Sequence, residues 1–170
     1  FNRLYDLHYD YDNPETGELM AGYLYEKYNL KLENAGSELF GETLPNGFMA
    51  EQGTGPSCGF LAATFATASK NPNLVKDAIQ MQEDGDYEVH FPGLNRPIEV
   101  APPTDTERAL FSTAEENGTW ITVLEKAWGK HRAGGNELRA FEMDTYPEDA
   151  IQAWTNGTVK TTRVAKNPKE

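Results

Sequence analysis

The sequence is poor in groups that would cross-link the fold or attach it to a polyanion. Its 170 residues contain one cysteine, Cys58, which excludes an internal disulfide framework, so the fold must depend on core packing. It has 15 Lys and Arg against 27 Asp and Glu, a formal charge of −12. We therefore expect neither nucleic acid nor an anionic membrane as its main partner, because both are bound by basic faces. No apolar run approaches the about 20 residues that a membrane-spanning helix needs, so we expect no membrane partner.

The length and composition are typical of a single globular domain. Hydrophobic residues make up 38% and charged residues 25% of the chain, which is ordinary for a globular protein. A single thiol fits a reducing compartment. The chain begins at Phe1 without a methionine, so we expect it to have been processed or trimmed, and secretion remains open. The sequence therefore predicts no particular localisation.

Hydrophobic periodicity predicts helices, then a β-hairpin, then further helices. The predicted helices cover 58–69, Asn71 to about Gln82, 120–130 and Pro147 to Asn156, and the hairpin strands cover 87–91 and 97–101. A helical turn near 108–111 and a strand over 158–165 are left open. The third helix has the spacing of an amphipathic helix whose apolar stripe is Trp120, Val123, Leu124, Ala127 and Trp128, and we expect the last helix to turn Ala150, Ile151 and Trp154 inward. We interpret 1–47 as an aromatic, acidic segment that wraps against the core, 48–165 as the globular subdomain and 166–170 as a fraying end. This order of elements predicts an α+β fold.

The cysteine stands where a loop rich in Gly and Pro meets the first apolar helix pattern. A thiol reacts as its thiolate, and the first turn of a helix presents unpaired N–H groups and the positive end of the helix dipole. We expect the Ser57 side chain to cap this helix. The backbone N–H of Cys58 and the side-chain amide of Gln52, folded back across the loop, would supply the two donors that an oxyanion needs. From these residues alone, a packing role for Cys58 and an ordinary loop role for Gln52 remain equally open.

Four motifs, in order along the chain, resemble the calpain family of papain-like cysteine peptidases. Gln52-Gly-x-x-x-x-Cys58 is similar to the papain-like arrangement, and Cys58-Gly-Phe-Leu-Ala-Ala63 resembles the calpain motif, which has tryptophan at the position of Gly59. The segment Pro97-Ile-Glu-Val-Ala-Pro-Pro-Thr104 resembles the calpain strand that ends in Leu-Pro-Thr. The segment Trp120-Ile-Thr-Val-Leu-Glu-Lys-Ala-Trp-Gly-Lys130 resembles the calpain helix Trp-x-x-Leu-Leu-Glu-Lys-Ala-Tyr-Ala-Lys. The segment Ala153-Trp-Thr-Asn-Gly157 resembles the calpain segment Phe-Thr-Gly-Gly.

The resemblance covers about residues 48–160 and implies the first, mainly helical subdomain of a papain-like fold with a small β-hairpin. It implies a cysteine endopeptidase in which Cys58 is the nucleophile and Gln52 the oxyanion donor, with no cofactor. The family's calcium site in this subdomain uses carboxylates at two positions that are Met49 and Gly118 here. We therefore expect activity to be independent of calcium. Replacement of the family's tryptophan by Gly59 removes a large wall beside the sulfur.

The histidine and asparagine of such a site are not evident in the sequence. In papain-like enzymes they typically follow the cysteine by about 130–150 residues, which lies beyond Glu170. We interpret His8 and His90 as packing or surface residues, and His131 lies on the polar end of the 120–130 helix. We therefore expect a second chain after autoprocessing, or a C-terminal subdomain, to supply both groups, with a protein or peptide as substrate. The alternatives are a non-catalytic calpain-like module that binds or scaffolds partners and an acyl transferase that uses the same thiol.

Overall fold

The computed structural model describes residues 38–142 and 145–162 of the chain. The predicted wrapping segment up to position 37, His8 and the predicted fraying end lie outside these ranges. The α-helices are α1 (Cys58–Lys70), α2 (Pro72–Asp77), α3 (Asp105–Leu110), α4 (Trp120–Arg132) and α5 (Pro147–Thr155). The strands are β1 (Ile79–Met81), β2 (Tyr87–Val89) and β3 (Ile98–Val100), and short 3₁₀ helices span Gly47–Met49, Glu115–Asn117 and Glu137–Glu142. In the described part of the chain, no helix is long and apolar enough to cross a membrane.

The strands form one small antiparallel sheet in the order β1-β2-β3. Val89 of β2 lies opposite Ile79 of β1 on one side and Ile98 of β3 on the other, and all three side chains are buried. The predicted hairpin is therefore present, and the predicted α+β class is confirmed at the level of mixed helices and a small sheet. Residues 158–162 form no strand, so the strand predicted over 158–165 is wrong for its described part.

The second predicted helix is shorter than expected. It begins at Pro72 after an Asn71 side-chain cap, as predicted, but ends at Asp77 rather than near Gln82. The backbone of 79–81 instead pairs with β2, because the N–H of His90 donates to Ala78 O (2.8 Å) and the N–H of Gln82 donates to Asp86 O (2.8 Å) at the two ends of the ladder. Pairing with a neighbouring strand therefore replaces the last turn of the predicted helix.

An aromatic cluster joins α1 to α4 and α5 in the core. The Phe60 ring stacks on Trp128 of α4 at a centroid distance of 5.2 Å. Phe91 packs edge-on against Phe60 at 5.8 Å, Trp128 at 5.7 Å and Trp154 at 5.0 Å. The indole N–H of Trp154 donates to the Thr64 hydroxyl at 2.9 Å, which fastens α5 to α1. Aromatic pairs in these geometries stabilise a core beyond the area that they bury.

Helix α4 is buried on all sides from Trp120 to Gly129 rather than along one amphipathic stripe, and α5 follows its predicted face with one exception. The five apolar residues of the predicted α4 stripe are all buried, namely Trp120, Val123, Leu124, Ala127 and Trp128. In α5, Ala150 and Trp154 are buried as predicted, but Ile151 is 41% exposed and Ala153 is buried in its place. Positions 150, 153 and 154 follow the i, i+3, i+4 spacing of one helix face, and 151 lies about 100° away from that face. The inward placement of Ile151 was therefore wrong.

Helix α4 also buries a lysine that joins three segments. The Lys126 ammonium donates to the carbonyl oxygen of Ala101 (2.9 Å) and the carboxylate of Glu107 (3.0 Å), and it lies 2.7 Å from the carboxylate of Glu137. Glu107 is completely buried and also completes the capping box of α3 with Thr104. Burial alone would raise the pKa of Glu137, but the charge of Lys126 and the bonds it donates lower that pKa below its ordinary value. These contacts hold α3 and the 3₁₀ helix Glu137–Glu142 against α4.

Candidate active site

The loop before α1 is held against the segment that follows α3. Glu51 and Thr113 exchange two backbone hydrogen bonds of 2.8 and 3.0 Å, and the N–H of Thr54 donates to Leu110 O at 2.9 Å. A Cβ on Gly53 would lie less than 3 Å from the Leu110 carbonyl oxygen. Any other residue at position 53 would force the backbone to shift. Glycine therefore permits the close approach of the loop to the Leu110–Phe111 backbone.

Cys58 and Gln52 lie at the two ends of this loop, and both are exposed. Cys58 is the first residue of α1, and its thiol is free. Cys58 is exposed, whereas a cysteine that serves only as a small packing group is ordinarily buried. The Gln52 amide nitrogen donates to the carbonyl oxygen of Gly55 at 3.3 Å, so the side chain folds back across the loop as predicted. A side-chain amide carries two N–H donors, and this bond uses one of them.

Ser57 does not cap α1 in the way that the sequence predicted. It occupies the N-cap position, but its side chain makes no capping hydrogen bond. The hydroxyl instead donates to the carboxylate of Glu125 in a very short bond. Ser57 is buried, and an ionisable carboxylate is a stronger acceptor for its hydroxyl than a competing neutral group. The side chain is therefore turned into the core, and the N–H groups of the first turn of α1 receive no side-chain cap from it.

Glu125 is a buried carboxyl group directly beneath the loop, and it was not among the predicted site residues. It is 3% exposed and accepts hydrogen bonds from the Ser57 hydroxyl and from the backbone N–H of Ser112, the latter at 2.6 Å. Burial raises the pKa of Glu125, and the bonds from Ser57 and Ser112 offset part of that rise. The only sequence signal for it was a carboxylate beside the apolar stripe of α4. Nothing in that pattern indicates its partner 68 positions away.

Gly59 lies against a backbone segment rather than beside an open space. A Cβ on Gly59 would lie less than 3 Å from the carbonyl oxygen of Thr145, and 3.1 Å from the nitrogen of Pro147. The Thr145 hydroxyl in turn accepts the indole N–H of Trp128 at 2.8 Å. The chain from Thr145 to Pro147 therefore passes close to α1 at this point, and a side chain as large as tryptophan does not fit there.

The described histidines are both engaged away from the thiol. His90 has a side chain that is 44% exposed and pairs with Glu88 on β2, which agrees with its interpretation as a surface residue. His131 lies in the last turn of α4, where its ring is 5.5 Å from that of Trp128. Burial, and then the charge of Arg132, lower the pKa of His131. Within 38–142 and 145–162, no histidine hydrogen-bonds to Cys58, and no group of three or more His, Cys, Asp or Glu side chains is placed to hold a metal ion.

A cavity of about 340 Å³ lies at a different place, between α3 and the start of α4. Its lining includes Arg108, Thr113, Thr119 and Thr122, and it includes neither Gln52 nor Cys58. Thr113 lines the cavity and also pairs with Glu51 at the start of the loop. The cavity and the loop are therefore neighbours, but the thiol does not line the cavity. The cavity is therefore not part of the Cys58 site.

The loop before α1 thus has a free thiol at one end and a side-chain hydrogen-bond donor at the other. An exposed thiol stands at the N-terminus of α1, where backbone N–H groups lack intrahelical partners. The Gln52 amide lies across the same loop. Such a set can attack a carbonyl carbon and bind the resulting oxyanion. Comparison of the chain with protein-family models, with curated proteins and with solved structures found no match in any of the three.

Proposed function

We propose that this chain is the nucleophile-bearing part of a calpain-like cysteine endopeptidase and has the first, mainly helical subdomain of a papain-like fold. The observation that carries the proposal is the exposed Cys58 thiol at the first position of helix α1, with the Gln52 amide folded over the same loop. A cysteine with a purely structural role is ordinarily buried. An exposed thiol next to oxyanion donors is the arrangement that acyl transfer needs.

In the proposed mechanism the Cys58 thiolate attacks the carbonyl carbon of a peptide bond. A C–S bond forms, and the carbonyl electron pair moves to oxygen, where the N–H of Cys58 and the Gln52 amide bind the negative charge. A histidine acid then protonates the leaving amine as the C–N bond breaks and the acyl-enzyme forms. Water, deprotonated by the same histidine, attacks the thioester and releases the acid and the thiolate. Loss of the Gln52 donor costs about a hundredfold or more in rate.

The base and its orienting asparagine come from a second chain or from a C-terminal subdomain in this proposal. Its support is that the two described histidines are engaged elsewhere, His90 with Glu88 and His131 against Trp128. The substrate is a protein or peptide, because the mechanism needs an amide carbonyl and an amine leaving group.

The test uses protein expressed from the complete reading frame that encodes this chain. We expect a peptidyl electrophile to add one equivalent to Cys58, and Cys58→Ala to remain unmodified. Gln52→Ala should still be labelled, because the thiol is intact, but its peptide hydrolysis should fall about a hundredfold. Labelling of Cys58 no faster than that of a free peptide thiol in the same buffer would refute the proposal.

The second candidate is a calpain-like module that binds or scaffolds partners without catalysis. The observation that favours it is that the described residues place no histidine beside Cys58. A reading frame that continues past Glu170 into a Gly-His and an Asn-Pro motif favours the peptidase. A complete protein that binds peptides without hydrolysing them, and whose Cys58→Ala variant binds equally well, favours the module.

A further inference from the structure

We propose that Glu125 is a positioning residue that holds the loop 53–57, and with it Cys58, in the geometry needed for attack. The proposal depends on the function proposed above. Glu125 hydrogen-bonds to Ser57 and Ser112 and acts through them.

The Glu125 carboxylate joins both ends of the loop. One oxygen accepts the hydroxyl of Ser57, the residue directly before Cys58. The other oxygen accepts the backbone N–H of Ser112 at 2.6 Å, and the Ser112 hydroxyl accepts the N–H of Gly53 at 3.3 Å. A single side chain therefore holds the end of the loop at Ser57 directly and its beginning at Gly53 through one intermediate.

The middle of the loop also lies over this carboxylate. A Cβ on Gly55 would be 3.6 Å from a Glu125 oxygen and 3.2 Å from the ring of Phe141. Gly55 and Ser57 are buried, whereas Gln52 and Cys58 are exposed. Gly55 and Ser57 thus lie on the Glu125 side of the loop, whereas the two proposed functional residues are exposed to solvent.

A carboxylate fits this position better than an apolar residue of similar size. The Ser57 hydroxyl and the Ser112 N–H are both buried donors, and a buried donor without an acceptor carries a desolvation cost. Without Glu125 these donors would have to move toward other acceptors and take the loop with them. A shift of about 1 Å in a nucleophile can cost about a hundredfold in rate, so a small movement of Ser57 would affect Cys58.

The experiment compares three variants. Each is made both in the 170-residue chain and in the protein expressed from the complete reading frame. Glu125→Leu removes both acceptors, while Glu125→Gln can still accept from Ser112 through its oxygen and donate to the Ser57 hydroxyl through its nitrogen. Thr64→Val is the matched control. Thr64 lies on α1, as Cys58 does, and its hydroxyl accepts a buried hydrogen bond of 2.9 Å from Trp154, so the substitution removes a buried bond from α1 without touching the loop. Two quantities are measured, namely amide hydrogen exchange of the 53–59 segment and the maximal rate and binding constant of Cys58 acylation by a peptidyl electrophile.

We expect Glu125→Leu to speed amide hydrogen exchange of the 53–59 segment by about tenfold or more. It should also lower the maximal rate of Cys58 acylation by about tenfold or more, with little change in the binding constant of the electrophile. Glu125→Gln should stay within about threefold of the wild type because it keeps the bridge. Thr64→Val should lose stability without either effect. A folded Glu125→Leu variant with wild-type exchange, or with a wild-type maximal rate, would overturn the proposal.

Two further outcomes remain decisive. If Glu125→Leu does not fold, Ser57→Ala takes its place and should slow acylation by about threefold or more, and an unchanged rate would overturn the proposal. If wild-type Cys58 reacts no faster than a free peptide thiol, the peptidase function is wrong. Hydrogen exchange then decides by itself whether Glu125 holds the loop, so failure of the function and failure of the positioning role are distinguished.

Discussion

Replacing Lys126 with methionine should destabilise the protein strongly, because it leaves a buried carboxylate without its cation. The Lys126 ammonium is 3.0 Å from Glu107, and the side chains of the pair are 2% and 0% exposed. Methionine keeps most of the length and apolar volume of lysine, so the main change is the loss of charge and of three donated bonds. The Glu107 carboxylate would then face a low-dielectric interior without the ion pair.

The magnitude follows from the burial of each partner. Removal of one member of a buried ion pair costs about 3–5 kcal/mol. The Glu137 side chain is 26% exposed, so water screens its charge and its loss adds less than about 1 kcal/mol. Because a domain is stable by only about 5–15 kcal/mol, Lys126→Met should remove a large part of the total. With a urea m-value of about 2 kcal/mol per molar, the unfolding midpoint should fall by about 2 M.

Urea unfolding at pH 7, followed by tryptophan fluorescence, measures this change. The control is the double variant Lys126→Met/Glu107→Gln, which removes the charge that the single variant leaves unpaired. The loss of unfolding free energy in the double variant should be smaller than the sum of the losses in Lys126→Met and Glu107→Gln, by at least about 1 kcal/mol. A loss below about 1 kcal/mol for Lys126→Met, or additive losses in the double variant, would contradict the buried pair.

Two more predictions concern the surroundings of the thiol. The pKa of Glu125 is raised above its ordinary value of 4.5, so its contribution to stability is fully present below that value and is lost as pH rises through the folded pKa. The unfolding free energy of the wild type, minus that of Glu125→Gln, should therefore fall as pH rises from about 4 toward 8, and a difference independent of pH would contradict the burial. Gly59→Ala should cost about 1–3 kcal/mol, because its Cβ would overlap the Thr145 carbonyl oxygen. An unchanged or higher melting temperature, as at an open helix position, would show that the Thr145–Pro147 segment does not pass there.

The elements with strong periodicity were predictable from the sequence. The apolar residues after Cys58 and the stripe from Trp120 to Trp128 correspond to α1 and α4, with starts as predicted and ends within two residues. The left-handed Asn156 (φ 51°) ends α5 where the Asn-Gly pair predicted a stop. These features depend on neighbouring residues along the chain, which is the information that a sequence pattern contains.

Features that depend on distant pairing were not predictable in the same way. Strand β1 exists because 79–81 meets Tyr87–Val89 across a hairpin, although Leu74 to Ile79 has helical spacing. Ser57 was expected to cap α1, but a carboxylate from α4 takes its hydroxyl. Gln52 and Cys58 were found from residue types on one loop, whereas Glu125 belongs to the site only through contacts across the fold. Tertiary contacts overrode local preference in each of these cases.

The rate at which Cys58 reacts with a peptidyl electrophile, measured on the protein from the complete reading frame, decides whether this thiol is a peptidase nucleophile. We expect one adduct, located at Cys58 by peptide mass spectrometry, that forms at least about a hundredfold faster than on a free peptide thiol. Cys58→Ala should show no adduct and no peptide hydrolysis. An adduct that forms at the rate of a free thiol, or hydrolysis that persists in Cys58→Ala, would contradict the claim that this exposed thiol is a peptidase nucleophile.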